Sequence, residues 1–303
     1  MSSLRSPDSM VLPVPLALML RSAADRRPVN EGLRIRAELA SGTSRPFELQ
    51  TVPSGYWVAH QIPGIPAEVA FDPARWLADG KPYAFSVEDP DGRYLPMRFG
   101  APLPRRNALI WPGWAGLNRD RLAPLLPPGS GASFVPDYLP LFPSSSAPGS
   151  RATARLMANL AIRETGGATR PAAWAMMSVS FGAAVIGLGM SDARGAVAVH
   201  FAYPPMPTPT PAEAAAGRDN VSWQLQVRVH CSELGSADAP DAPPPDFAQI
   251  ITQIEEPPRV VMATIMGAQP PLGDQTLVLG ETLILRTALS GGQFASSLFL
   301  KPA

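Results

Sequence analysis

Apolar residues occupy every second position from Leu33 to Leu39, with arginine or glutamate between them. This period of two buries one face of a β-strand and leaves the other face in water. Residues 223–229 alternate in the same way, and Asp91-Gly92 separates two further β-rich runs, which is typical of a hairpin. These patterns predict a mainly β chain of antiparallel β-sandwich domains with a few short helices.

Proline limits where regular structure can form in this chain. There are 37 prolines among 303 residues, about one in eight where roughly 5% is usual. Because proline lacks an N–H donor, its clusters exclude long helices and central strands. We predict a first β-sandwich domain at residues 11–104, a linker rich in proline and aromatic residues at 105–150, and a second β-sandwich domain at 151–303.

Capping patterns predict three short helices. Asp72-Pro73 begins one that ends near Gly80, and another is expected over residues 118–126. In the third, over residues 246–254, an Asp246 cap precedes apolar residues at helical spacing.

A sequence pattern of the form Asp-x-x-Gly, followed by a β-run that ends in phenylalanine, occurs at residues 89–99 and 192–201. This repetition predicts a duplicated hairpin.

The charge balance disfavours nucleic acid and anionic lipid as partners. The chain carries 25 basic and 25 acidic residues, and only 17% of its residues are charged, so no overall field attracts a polyanion. No apolar run approaches the roughly 18 residues that a membrane helix needs. We therefore expect neither nucleic-acid binding nor membrane insertion.

The cysteine count and the N-terminal sequence bear on the compartment. Cys231 is the only cysteine, which excludes an intramolecular disulfide and fits a reducing cytoplasm. The apolar run at residues 11–20 follows Arg5 and is either a first strand or the core of a signal peptide. Pro13 and Pro15 within the run favour the strand, so a cytoplasmic location is expected.

Candidate catalytic and metal-binding residues do not form a motif. His60, His200 and His230 have no partner at metal-site spacing, and a Gly-x-Ser-x-Gly elbow is absent. The glycines of residues 182–189 lack the Lys-Ser/Thr of a phosphate-binding loop, so strand bends or close packing between sheets explain them better. Two aspartate pairs fall short of a calcium ladder; they are Asp89 with Asp91, and Asp238 with Asp241. We predict a protein without enzymatic activity, cofactor, metal or small-molecule substrate, and keep a hydrolase without a visible motif as an alternative.

Several of these segments resemble a known domain family. The run 25–29, followed by 32–35 and 54–58, resembles the carboxypeptidase regulatory-like domain, and residues 164–167 and 192–195 repeat the pattern in the second half. Arg26-Arg27 stands where that family usually has Thr-Gly. The resemblance implies a transthyretin-like β-sandwich.

A second resemblance concerns the biological setting. Residues 91–96 with 138–142, and residues 171–175 with 283–287, are similar to uncharacterised proteins of phage-tail-like contractile injection clusters. This resemblance implies a structural part or assembly accessory of a multi-subunit particle, assembled in the cytoplasm and then released. It implies no catalytic residues.

The aromatic residues of the linker are the predicted partner-binding residues. They are Trp111, Trp114, Phe134, Tyr138, Leu141 and Phe142. Either the two domains close over this segment, or it stays exposed as an apolar patch of the kind that marks a partner site. For Trp57, Trp174 and Trp223 a place in the core is expected. The leading hypothesis is a protein that docks on other proteins, and the alternative is a carbohydrate-binding or surface-adhesive module.

Overall fold

The structure is a computed structural model, and strands dominate it. It describes residues 14–42, 45–70, 72, 80–104, 116–131, 133–150, 152–206, 221–232, 234, 243–265 and 269–302. The helices are short: α1 (Ala67–Ala70), α2 (Arg119–Leu122) and α3 (Phe247–Thr252). The predicted mainly β class is confirmed, as are helices at two of the three predicted places. The third, at 72–80, lies outside the described residues except at its two ends.

Two four-stranded sheets form the first half. Their strands are β1 (Leu16–Ser22), β2 (Arg34–Leu39), β3 (Phe47–Glu48), β4 (Gln50–Thr51), β5 (Trp57–Ala59), β6 (Lys81–Glu88), β7 (Met97–Leu103) and β8 (Tyr138–Leu141). One sheet has the order β4-β5-β1-β8 and the other β3-β2-β6-β7. In β2, Ile35 and Ala37 are buried while Arg34 and Arg36 are exposed, as the alternation predicts.

Two further sheets form the second half. Their strands are β9 (Thr153–Arg163), β10 (Thr169–Pro171), β11 (Met176–Phe181), β12 (Ala184–Met190), β13 (Ala196–Ala202), β14 (Ser222–His230), β15 (Gln275–Val278), β16 (Thr282–Leu285) and β17 (Leu298–Leu300). One sheet has the order β12-β11-β14-β15. In the other, β9 pairs with β10 and β13 on one side and with β16 and β17 on the other.

The sequence patterns predict purely antiparallel pairing, but three strand pairs are parallel. Strand β8 pairs with β1 in parallel, and both β16 and β17 pair in parallel with β9. Hairpin signals report only strands joined by a short turn, whereas these pairs join strands more than 100 residues apart in the sequence. The purely antiparallel prediction is therefore wrong at these three places.

Two hydrophobic cores lie between the sheets. The first contains residues of both first-half sheets, together with Phe247 and Ile250 of α3. The second contains Leu156, Val199 and Leu225, which belong to the two second-half sheets. Strand β11 serves both cores, because Met176 faces the first and Met177 the second. Two facing sheets around each core are consistent with a β-sandwich, and the domain boundaries at 104 and 150 stay a prediction.

The two Asp-x-x-Gly turns have similar chemistry but different topology. Asp89 accepts hydrogen bonds from the backbone of the β6–β7 hairpin, whose strands pair with each other. Asp192 accepts hydrogen bonds from the N–H groups of Arg194 and Ala196. Strand β12, however, pairs with β11, while β13 pairs with β9. One antiparallel bridge, between Ser191 and Val197, closes the second turn before its strands separate into different sheets, so the predicted hairpin is repeated at the turn alone.

Close packing explains the glycines of β12. A Cβ atom at Gly187 would lie 3.0 Å from side-chain atoms of Val199 and Phe201, and one at Gly189 would lie 2.8 Å from a methyl carbon of Val199. Strand β13 therefore approaches β12 more closely than a larger residue would allow. This confirms close packing between sheets and accounts for the glycines without a phosphate.

Candidate interaction surfaces

Three of the predicted partner-binding residues lie in the first core. Tyr138 and Leu141 belong to β8, Phe142 follows it, and their exposed fractions are 2%, 0% and 0%. The strand contains Pro140, which is tolerated because β8 is an edge strand. Burial leaves these side chains no surface for a partner in this conformation, which favours the alternative in which the protein closes over the segment. Phe134 is half-buried against the same core, and Trp111 and Trp114 lie outside the described residues.

The surroundings of Tyr138 show how firmly this segment is held. Its hydroxyl donates a hydrogen bond to the carbonyl oxygen of Leu125, and the guanidinium carbon of Arg21 lies 4.9 Å from the centre of its ring. Burial raises the pKa of Tyr138 to about 12. The phenol therefore stays neutral and acts as a structural hydrogen-bond donor.

The three histidines have separate surroundings. His60 is exposed, whereas His200 and His230 are buried, and burial lowers the pKa of both buried imidazoles. His230 donates from Nδ1 to the carbonyl oxygen of Glu256 at 2.8 Å, while Nε2 of His200 has no hydrogen-bond partner among the residues that the structure describes. Across the described ranges, no three His, Cys, Asp or Glu side chains lie close enough together to hold a metal ion.

An open cleft with a volume of about 690 Å³ lies between the two halves. One wall is the outer surface of β6 and β7, and the other is the turn at residues 192–194 together with Trp174. Carboxylates and guanidinium groups share this lining; they belong to Glu38, Glu88, Asp192, Arg98 and Arg194. The cleft thus combines both charges with an apolar floor.

Trp174 has an unusual backbone for a bulky residue. Its φ is 59°, in the left-handed region that favours glycine. Its carbonyl oxygen accepts a hydrogen bond from Gln253, and the hydroxyl of Ser191 bonds both Ala172 and Ala175 around it. Such strain persists only where neighbouring contacts hold it, and it occurs often at ligand sites.

Trp57, Trp174 and Trp223 are all buried in the cores, as the sequence predicts.

Exposed apolar side chains concentrate near the C-terminal strands. Seven large apolar residues are at least 36% exposed in the part of the chain that the structure describes, and four of them lie within residues 260–294. These four are Val260 (42%), Leu279 (44%), Ile284 (54%) and Phe294 (62%). Surface apolar residues are ordinary when scattered, but a concentration of them indicates a contact surface.

The pairing register places several apolar residues on one outer surface. Ile284 of β16 lies opposite Met157 of β9, and Phe299 of β17 lies opposite Ala161. Their neighbours Leu285, Leu298 and Leu300 point into the second core, so alternation directs Met157, Ile284 and Phe299 away from it. Val260 is on the same side, because its neighbour Val261 is buried opposite Leu300. We call Met157, Val260, Ile284 and Phe299 the C-terminal face.

Basic residues border this face. The guanidinium carbon of Arg163 lies 5.8 Å from the centre of the Phe299 ring. Arg286 is exposed just after β16, and half-buried Lys301 follows β17. Glu281, in the turn before β16, adds a carboxylate to this border. Arg155 and exposed Asn159 of β9 lie on the same side as Met157, so the C-terminal face is a mixed surface of apolar and polar side chains with a mainly basic rim.

The sequence analysis did not identify this face. Residues 283–285 are all apolar, so no alternation marks which of them is exposed. A strand that is apolar on both faces is usually central and buried, whereas β16 has one partner strand and an exposed isoleucine. The available signal was this short apolar run itself, which ends at the charged Arg286.

Comparison with protein-family models, curated proteins and solved structures finds no match to this chain. The resemblances to carboxypeptidase regulatory-like domains and to contractile injection clusters therefore stay predictions. In the described part of the chain, none of the helices combines the length and the hydropathy needed to span a membrane.

Proposed function

We propose that this chain is a non-enzymatic structural or assembly-accessory protein that docks on another protein through its C-terminal face. The observation that carries this proposal is the 54% exposure of Ile284 on a strand whose flanking leucine, Leu285, is buried in the second core. Exposing an isoleucine is unfavourable in water, and a partner that covered it would recover roughly 25 cal/mol per Å² of apolar surface. The surrounding basic rim adds selectivity for the partner.

The setting that we propose is a phage-tail-like contractile injection particle that is assembled in the cytoplasm. In this proposal the chain contains two β-sandwich domains, and the second presents the docking face. Support comes from the resemblance described above and from the separate core beneath the face. A rigid sheet suits a docking role because it holds the exposed side chains at fixed spacing.

Affinity capture with matched variants tests the docking role. A tagged chain is mixed with an extract of the source cells, and the bound proteins are quantified by mass spectrometry. Ile284→Lys should release the specific partner, because it places a charge in the centre of an apolar contact. Met206→Lys is the control, since Met206 is 53% exposed and lies outside the C-terminal face.

The outcome is decided by the difference between the two variants. The proposal is supported if the proteins captured by the wild type are lost with Ile284→Lys and retained with Met206→Lys. Equal capture by the wild type and both variants would show that docking does not use this face. Circular dichroism establishes that each variant has kept its fold.

A second candidate function is carbohydrate binding in the cleft beside Trp174. The supporting observation is the combination of carboxylates and guanidinium groups along one cavity, since charged side chains of both kinds form hydrogen bonds with sugar hydroxyl groups. Screening the chain on a glycan array tests it. Arg98→Ala should abolish any signal, whereas Arg228→Ala, on an exposed part of β14 outside the cleft, should not.

A further inference from the structure

Residues 143–150, which we call the connecting segment, lie between β8 and β9 and contact both halves of the protein. On the first-half side, the N–H of Ser144 donates to the carbonyl oxygen of Arg93 at 2.9 Å. The hydroxyl groups of Ser144 and Ser146 both donate to the carbonyl oxygen of Gly92. These bonds fix the connecting segment to the turn between β6 and β7.

On the second-half side, Arg155 of β9 holds the middle of the connecting segment. Its Nη2 atom donates a hydrogen bond of 2.7 Å to the carbonyl oxygen of Ser145. A Cβ atom at Gly149 would lie 3.7 Å from its Cδ atom, so the side chain also packs against the segment. In the part of the chain that the structure describes, Arg155 forms no ion pair with a carboxylate. The attachment to β9 therefore depends on a guanidinium group whose charge is not neutralised nearby.

His200 of β13 lies directly opposite Arg155 in the antiparallel ladder. Residues in that relation have Cβ atoms roughly 4.5–5.5 Å apart. His200 is 5% exposed, and across the described ranges neither its Nε2 atom nor the Nε atom of Arg155 has a hydrogen-bond partner. Buried polar atoms are normally paired, so these two facing side chains are a weakly stabilised contact beneath the connecting segment.

Protonation of His200 places a second positive charge at this contact. The cavity beside the imidazole, of about 180 Å³, is also lined by Asp25, Arg93 and Tyr94. The Asp25 side chain is 41% exposed, so water screens its charge. Arg93 is paired with a buried carboxylate at 3.0 Å, and burial raises the pKa of Tyr94, which keeps the phenol neutral. The charge that most affects a protonated His200 is therefore that of Arg155, and two like charges at this distance repel each other.

We propose that the connecting segment is an acid-sensitive joint, in which protonation of His200 displaces the Arg155 guanidinium from Ser145 and releases the segment from β9. The segment stays attached to the turn between β6 and β7, and both hydrophobic cores remain folded. Because His200 accepts a proton at about pH 6.5 when it is released and resists protonation when it is enclosed, the open fraction rises as the pH falls below that value. The proposal does not depend on the docking function.

Hydrogen exchange of the full-length chain measures this opening. The reporting amides are those of Ala147 and Thr153, which donate to the carbonyl oxygens of Ser144 and Ser150 at 3.1 Å. After division by the intrinsic rate at each pH, their protection should fall by up to about tenfold between about pH 7.5 and about pH 5.5. Their exchange should also be insensitive to low concentrations of urea, whereas exchange of the central strand β11 should accelerate, because local opening exposes little surface.

Matched variants connect the opening to the two facing residues. His200→Gln should keep the reporting amides protected at both pH values, and His230→Gln should behave like the wild type, because His230 bonds the carbonyl of Glu256 elsewhere. Arg155→Met keeps much of the side-chain length and removes the donor to Ser145, so its reporting amides should exchange rapidly at both pH values. Circular dichroism establishes that each variant has kept its fold.

Three results would overturn the proposal. The first is equal protection of the connecting segment at both pH values in the wild type. The second is the same change with pH in His200→Gln as in the wild type, or wild-type protection in Arg155→Met. The third is exchange of the reporting amides with the same protection and the same urea dependence as β11, which would show that the segment opens only when the whole protein unfolds.

Discussion

The side-chain amide of Gln253 donates a hydrogen bond of 2.8 Å to the carbonyl oxygen of Trp174. The oxygen of the same amide accepts a hydrogen bond of 2.8 Å from the backbone N–H of Ser232. Gln253 is 1% exposed and its bond to Trp174 is buried, so bulk water cannot replace the amide at that carbonyl, whereas Ser232 is half-buried. One buried side chain thus joins the end of α3 to the left-handed Trp174 and to the residues that follow β14.

Gln253→Leu should destabilise the protein markedly. The variant keeps a similar volume but leaves the N–H of Ser232 and the carbonyl of Trp174 without their side-chain partner. Each buried group that loses its partner costs about 1–3 kcal/mol, so we expect the free energy of unfolding to fall by about 2–4 kcal/mol in urea titrations. Gln224→Leu is the control, because Gln224 is exposed and bonds Thr276 at the surface. A similar small loss in both variants would contradict the structural role of Gln253.

Gly195→Ala should be far more harmful than Gly182→Ala. Both glycines have positive φ, but a Cβ at Gly195 would lie 2.2 Å from the carbonyl oxygen of Leu160, while one at Gly182 would have no neighbour within 4 Å. The left-handed conformation alone costs an alanine about 1–2 kcal/mol. We expect that loss at Gly182 and more than about 3 kcal/mol at Gly195. Equal melting temperatures of the two variants would show that the backbone between β12 and β13 shifts to accommodate a Cβ atom at little cost in free energy.

Asp89→Ala should lower the free energy of unfolding more than Asp91→Ala does, because Asp89 stabilises the β6–β7 hairpin. The Asp89 carboxylate is fully buried and accepts hydrogen bonds from the N–H groups of Arg93 and Tyr94 and from the Arg93 guanidinium. Asp91 is 68% exposed and lies 3.9 Å from the same guanidinium. We expect a loss of about 2–4 kcal/mol for Asp89→Ala and less than about 0.5 kcal/mol for Asp91→Ala, measured by chemical denaturation.

The same carboxylate makes stability sensitive to strong acid. Burial alone would raise the pKa of Asp89, but the hydrogen bonds from Arg93, Tyr94 and Asp91 outweigh it and hold the pKa below its usual value. Its contribution is therefore complete above the unfolded pKa of about 3.9 and is lost as the pH falls through the folded value. When the pH falls from about 5 to about 3, across that pKa, Asp89→Asn should lose less free energy of unfolding than the wild type loses.

His200 should destabilise the protein in mild acid. Burial lowers its pKa, and the neighbouring Arg155 lowers it further. Asp25, Arg93 and Tyr94 line the small cavity beside it. Because the unfolded histidine takes up a proton at about pH 6.5 and the folded one does not, stability is complete above that pH and declines as the pH falls towards the folded value.

Thermal melts across this range test the role of His200. His200→Gln should melt with a weaker dependence on pH than the wild type, and His60→Gln should behave like the wild type, because His60 is exposed. His230, which also has a lowered pKa, will leave some dependence in the His200 variant. Identical pH profiles for all three proteins would show that His200 is not protonated on unfolding in this range.

Local patterns in the sequence determined the strands and turns of this protein. Alternation in β2 and β14 specified which residues are buried, and the Asp246 cap with its apolar spacing specified α3. The hairpin at Asp89 follows from turn chemistry, since an aspartate there satisfies the N–H groups of the residues that follow it. These features depend on residues a few positions apart, and the sequence shows such neighbours directly.

Only the tertiary structure decided which strands became neighbours and which apolar residues stayed exposed. Residues 138–142 appear in the sequence as an aromatic surface, yet β8 pairs with β1 and buries them. Ile284 appears as an ordinary core residue, yet β16 lies at an edge and exposes it. In both cases a pairing partner more than 100 residues away decides the burial, because a strand's environment depends on the layers packed against it, and no local pattern records them.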